Sequence, residues 1–259
     1  MARTCVFCGG GPCTNEHVLP RWLRVAFPRE AQRDTLHVRT TEDAETSRRG
    51  NLLDTQAKVV CGFCNNGWMN DLEEGVRSFL PRMIKGKPVQ LTRKKQTQLA
   101  AWSLKTIMML HCVYPKADQV SIPDRDYTDF FASRQPSDQM HVWVAYMPPP
   151  VDPYGIITHP MQFHCQPRRT DVEIRNERGT HRVSGEAYVA TLRVGHFVAQ
   201  VLRLGAAGIE FDLTPSPMLA KHMREVWPSF ATRPWPTASL ESIGGFQGFA
   251  NAIAASPPQ

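Results

Sequence analysis

Four of the seven cysteines in this 259-residue chain fall into two pairs of identical spacing, Cys5-Val-Phe-Cys8 and Cys61-Gly-Phe-Cys64. Two thiolates separated by two residues can grip one metal ion while the intervening backbone turns its N–H groups toward sulfur. Two such knuckles complete the four ligands of a tetrahedral zinc site. The spacing therefore predicts one structural Zn2+ held by Cys5, Cys8, Cys61 and Cys64, tying together the ends of the long stretch between them. Four unligated core thiols fit poorly with the polar, glycine-rich surroundings. Cys13 is a substitute ligand, whereas Cys112 and Cys165 sit in apolar segments and read as buried thiols.

Between the knuckles lies Thr14-Asn-Glu-His-Val-Leu-Pro-Arg-Trp-Leu23, in which a carboxylate directly precedes an imidazole. Histidine is the side chain best poised near neutrality to take a proton from water, and carboxylate and amide oxygens are hard ligands for divalent ions. Adjacent side chains on a strand point to opposite sides, so Glu16 and His17 address one centre only at a bend or a strand end. Pro20, three residues on, is compatible with either. A Glu-His pair alone carries little information; its company gives it weight, because Asn65 follows the second knuckle directly and opens a helical pattern.

Taken together, Cys5-x-x-Cys8, Glu16-His17-Val-Leu-Pro20 and Cys61-x-x-Cys64-Asn65 make residues 1–80 resemble the HNH family within the His-Me finger nucleases. The resemblance implies a ββα-metal module whose β-hairpin and helix clasp one catalytic divalent ion, Mg2+ or another. By position it implies that His17 is the general base and that Glu16 and Asn65 bind the ion, which offsets charge on the scissile phosphate and the leaving 3′ oxygen. Products with 5′-phosphate and 3′-hydroxyl ends are implied with it. The family's middle Asn usually precedes the second knuckle by a few residues; Asp54 to Val60 contains none, and Asn51 is the nearest candidate. Met69 stands where some members carry a histidine, which leaves an Asn-type variant in which water or Asn70 fills positions.

The elements that must position these residues are legible in outline. The expectation is an α+β chain: an N-terminal zinc-stapled ββα-metal module over 1–88, then an accessory domain over 89–259 made of a helix and a mostly antiparallel β region. Arg29 to Gly50 reads as a charged insertion. From Asn65, Trp68, Leu72, Val76 and Phe79-Leu80 fall on one helical face, which Pro81 stops. Lys85-Gly-Lys-Pro88 marks the boundary, and Lys94 to Tyr114 is the clearest helix, with Leu99, Trp102, Ser103, Thr106, Ile107 and Leu110 at helical spacing. His141 to Tyr146 reads as a strand, and Tyr188 to Val194 with Phe197 to Leu204 reads as a hairpin turning at Gly195-His196. Pro215 to Arg224 suggests a short helix, and the tail after about 234 looks weakly ordered. Trp22 and Trp68 read as core. The remaining histidines are structural one by one, with His159, His164 and Cys165 a weaker metal group.

Charge points the same way as the motifs. The net charge is +6, and residues 1–95 hold 16 Lys/Arg against 10 Asp/Glu, leaving 14 against 14 for residues 96–259. A basic bias confined to one module favours a polyanion, with Arg21, Arg24, Arg48 and Arg49 as candidate phosphate contacts. A hydrophobic fraction of 42% with 21% charged residues excludes the disordered and fibrous classes. No apolar run approaches the ~18 residues of a membrane span, and the start lacks a secretory apolar segment, so the expected setting is a reducing cytoplasm. The expected function is a metal-dependent endonuclease acting on nucleic acid, double-stranded DNA before RNA because the resembled family mostly cuts DNA. A monomer would nick; a homodimer or repeated action would break both strands. The alternatives are a non-catalytic zinc-stabilised module that binds nucleic acid, and a protein-interaction module that zinc merely staples.

Overall fold

The computed structural model describes residues 4–27, 35–40, 45–50, 52–113, 122–149, 161–169, 172–176, 179–183, 186–203, 217–230 and 233–252, and the fold is α+β. The chain begins with the first cysteine knuckle and strand β1 (Cys13–His17), followed by a 3-10 helix over Arg21–Ala26. Strands β2 (Thr35–Thr40) and β3 (Glu45–Gly50) pair with each other. Strand β4 (Gln56–Cys61) then returns antiparallel to β1, setting Cys13 opposite Cys61 and His17 opposite Gln56. The inserted segment thus leaves and re-enters a two-stranded sheet whose far end carries the second knuckle.

Helical structure starts inside that knuckle. Helix α1 (Gly62–Cys64), a wide π turn over Asn65–Met69 and helix α2 (Asn70–Arg77) run on from one another, kinked at Gly67, where φ is −97° and ψ −116°. Asp71 and Glu73 lie in the first turn of α2 and Arg77 in the last, each favourable to the helix dipole. The helix ends at Arg77, before Pro81. Pro81 instead sits in the first turn of helix α3 (Leu80–Ile84), where its missing N–H has no intrahelical partner to lose.

Strand β5 (Val89–Leu91) leads into helix α4 (Arg93–Val113), in which every residue from 99 to 110 is buried. A helix apolar on nearly all sides belongs in an interior, and α4 packs against α2 and β4 as well as against the main sheet described next. After helix α5 (Asp124–Ser133) come β6 (Met140–Tyr146), β7 (Met161–Arg169), the hairpin β8 (Val172–Asn176) and β9 (Gly179–Val183), β10 (Glu186–Val194) and β11 (Phe197–Arg203). Helix α6 (Pro217–Ala220), β12 (Met223–Trp227), β13 (Arg233–Trp235) and helix α7 (Gly245–Ala252) complete the order. The main sheet is antiparallel throughout, in the order β12-β6-β11-β10-β7, while β13 pairs with β5.

Alternation along these strands builds two apolar layers. Val142, Val144, Phe197, Ala199 and Val201 join the core that contains α4, with Trp102 and Phe197 ring centroids 6.4 Å apart. Trp143, Ala145, Val198 and Leu202 face a second layer made by Leu240, Phe246 and Phe249. Gly195 turns the β10–β11 hairpin at φ +59°, and a Cβ there would meet the Ile84 carbonyl oxygen at 2.5 Å. Glycine is required at this position both for the turn and for that close approach.

Three sequence expectations give way here. Pro215 to Arg224 is not one helix: α6 is a single turn, and Met223 and Val226 are buried in β12 on the sheet edge. The tail after 234 is not weakly ordered as far as 252, because Trp235, Leu240 and Phe249 are almost wholly buried and anchor it. Its prolines and small residues hide three side chains that cover a sheet face. Residue 88 also does not separate two cores, since Phe7 lies 5.5 Å from Tyr127 and Trp68 5.6 Å from Phe130, ring centroid to centroid. Among the described residues, no helix is long and apolar enough to cross a membrane.

Candidate metal centre and catalytic site

The two knuckles meet. One ligand atom from each of Cys5, Cys8, Cys61 and Cys64 lies within 4.8 Å of all the others, with three of the residues buried and Cys8 half-buried. The Cys8 and Cys61 sulfurs are 3.5 Å apart, close to the roughly 3.8 Å that four Zn–S bonds of about 2.3 Å impose on a tetrahedron. The geometry and the donor set therefore fit a metal ion such as zinc. Local backbone explains the preorganisation. Cys5 N–H bonds to the Gly10 carbonyl at 2.7 Å, Gly9 takes φ +71°, and the Gly10 N–H points at the Cys8 sulfur at 3.4 Å.

The thiols respond to that arrangement in opposite directions. Burial raises Cys5, but backbone hydrogen bonds from Cys8, Cys61 and Phe7 outweigh it and bring the thiol down to about 7. Burial pushes Cys64 well up, and crowding by the Cys8 and Cys5 sulfurs adds to it. Such a group holds several thiolates at once only with a cation to neutralise them. Arg134 supplies part of that charge: its guanidinium stacks 4.0 Å from the Phe131 ring and 4.6 Å from the Trp68 ring, within Coulombic reach of Cys64 and Cys8. Cys13 is buried in the neighbouring sheet register but stands outside the group of four.

A second cluster forms at the open end of the β1–β4 sheet. The pairing register shifts between Thr14 and Glu16, which answers the difficulty that neighbours on a regular strand diverge. Glu16 accepts a hydrogen bond from the Asn65 side chain, so the strand end and the first residue of the π turn converge. Burial pushes the Glu16 carboxyl up to about 7; the Lys105 ammonium opposes burial, the Glu73 carboxylate reinforces it and the Asn65 hydrogen bond opposes it. Lys105 is fully buried, and its Nζ donates to Glu73 Oε1 at 2.8 Å.

His17 is half-buried beside this cluster, with its Nε2 3.2 Å from Nε2 of Gln56, its register partner across the sheet. Burial lowers its pKa, and the positive charges of Arg21 and Arg24 lower it further against a weaker pull from Glu73. The imidazole is accordingly neutral at neutral pH, the form able to accept a proton.

The arginines divide. Arg21 is exposed, whereas Arg24 forms an ion pair with Asp54, so its charge is already engaged and it is not an open phosphate contact. Arg48 and Arg49 lie on β3, for which the backbone alone is described, and Asn51 lies outside the described residues. Trp22 packs half-buried against the core, and Trp68 meets the Phe7 ring edge-on at 5.1 Å, so both are core residues.

Sequence reasoning passed over Gln56, Glu73 and Lys105. Glu73 carried a usable signal, because it follows Asn65 and Met69 at successive helical i+4 steps. Lys105 carried one too, as a charge in the middle of an apolar helix. Gln56 had none, since only the strand register sets it beside His17. Compared with family models, with curated proteins and with solved structures, the chain matches none.

Proposed function

We propose that this chain is an HNH-type endonuclease that hydrolyses phosphodiester bonds of nucleic acid with the help of a divalent ion, and that double-stranded DNA is its preferred substrate. The observation that carries the reading is the hydrogen-bonded meeting of Glu16 and Asn65 beside His17. A carboxylate and an amide oxygen are a hard donor pair suited to Mg2+ or Mn2+, with water completing the shell. A strand pair followed at once by a helix, stapled by four cysteines, is the scaffold the resemblance implies for these three residues.

In this reading Glu16 and Asn65 hold the divalent ion, which when bound offsets charge on the phosphate and on the departing oxygen. His17 takes a proton from the attacking water as the new oxygen–phosphorus bond forms and the bond to the 3′ oxygen breaks. Gln56 positions the base. With its amide oxygen turned to accept from Nε2–H, the Nδ1 lone pair is left for the water proton. Arg21, exposed beside the site, attracts the phosphodiester.

A second reading, a zinc-stapled module that binds nucleic acid without cutting it, draws on Met69. One helical step beyond Asn65, this side chain is 1% exposed and offers no hard ligand. End-labelled duplex DNA, single-stranded DNA and RNA incubated with zinc-loaded protein and Mg2+ or Mn2+ separate the two. Cleavage abolished by EDTA, with ligatable 5′-phosphate ends, supports the nuclease; salt-sensitive binding with no cleavage under any divalent ion supports the second reading.

A further inference from the structure

Lys105 is the only fully buried lysine among the described residues. Helix α4 delivers it, with Leu104 and Thr106 on either side buried as well. An ammonium in an interior is costly unless paired, and a buried ion pair is often no more stable than two apolar side chains of similar size. Its salt bridge to Glu73 at 2.8 Å therefore accounts for how the charge is tolerated and leaves open what the charge is for. The same ammonium acts on Glu16, which Glu73 also faces. Two carboxylates and one ammonium thus share a pocket, with one net negative charge when both acids are ionised.

Building on the nuclease reading above, we propose that Lys105 is the resident counter-ion of this pocket and sets its affinity for a divalent ion. In the metal-free protein the ammonium neutralises one of two carboxylates that would otherwise repel each other. Glu73 is a positioning residue that fixes the ammonium and adds its own field to that of Glu16. Coulomb's law then makes the pocket's charge, and with it the metal affinity, adjustable at two residues that need not touch the ion.

The test is Mn2+ binding by the zinc-loaded full chain, read from the electron paramagnetic resonance of free Mn2+, for the parent and for Lys105→Met, Glu73→Gln and the double variant. The expected order follows pocket charge. Lys105→Met binds at least about tenfold more tightly than the parent, Glu73→Gln most weakly, and the double variant like the parent. If Lys105→Met folds poorly without metal, Mn2+ should raise its melting temperature more than it raises that of the parent, because the divalent ion replaces the missing ammonium. Equal affinities, or affinities that follow the folded fraction rather than pocket charge, would overturn the counter-ion role. A parent that binds Mn2+ and cuts DNA, with Lys105→Met at the parent's affinity, sinks this inference alone; absence of Mn2+ binding in all four proteins sinks the nuclease reading with it.

Discussion

Gln56 stands 3.2 Å from His17 Nε2, side chain to side chain, as its register partner across the β1–β4 sheet. Partners of this kind orient a histidine and choose its tautomer, and their loss typically lowers activity roughly 10–100-fold. Gln56→Ala is expected to reduce the rate of DNA cleavage by about that factor with substrate affinity little changed. Steady-state kinetics of the purified variant provide the check, and an unchanged rate constant would remove Gln56 from the mechanism.

The zinc staple yields a stability prediction. Cys64 is buried within the four-cysteine group, and its neighbour in the π turn, Trp68, packs on Phe7 and Phe130. Cys64→Ser should lower zinc content from one per chain and loosen this aromatic cluster, because metal binding and local folding are one equilibrium. Metal analysis together with tryptophan fluorescence measures both. Full zinc loading with unchanged fluorescence would show that Cys64 is not a ligand.

Helix α5 and strand β11 are joined through an ion pair, Arg203 Nε to Asp126 Oδ2 at 2.6 Å, with both side chains nearly inaccessible. Removing one partner strands the other charge. Asp126→Ala should therefore cost about 3–5 kcal/mol, while an apolar replacement of both residues should recover most of that loss. Urea denaturation of the two single variants and the double variant gives the comparison, and additive losses would count against the pair acting as a unit.

Gly195 offers a test of the packing between the N-terminal module and the sheet. A side chain there would both occupy the left-handed region at φ +59° and press a Cβ to 2.5 Å from the Ile84 carbonyl oxygen. Gly195→Ala should destabilise the fold by at least about 1–3 kcal/mol. A melting temperature equal to that of the parent would mean that α3 and the β10–β11 turn separate in solution.

What was legible in the sequence follows from how local the signals are. The four cysteines, Glu16-His17 and Asn65 were readable because spacing along the chain maps directly onto knuckles, strand ends and helix starts. The α4 helix and the β10–β11 hairpin were readable for the same reason, through periodicity and a turn glycine. Gln56, Glu73 and Lys105 depend on register and on helix–helix packing, which no local window encodes. Met223, Trp235 and Phe249 failed in a different way: their neighbours are proline-rich or small, and only the uncovered second face of the sheet explains why that segment is held.

The most direct test of the central claim is nicking of supercoiled plasmid in Mg2+, Mn2+ or Ni2+ by the parent and by His17→Ala at matched zinc content. The nuclease reading expects open-circular product from the parent and a loss of at least about 10²-fold in the variant, the usual contribution of a general base. Equal cutting by both proteins would contradict His17 as the base, and no cutting by either, with DNA binding retained, would leave a zinc-stapled binding module in place of an enzyme.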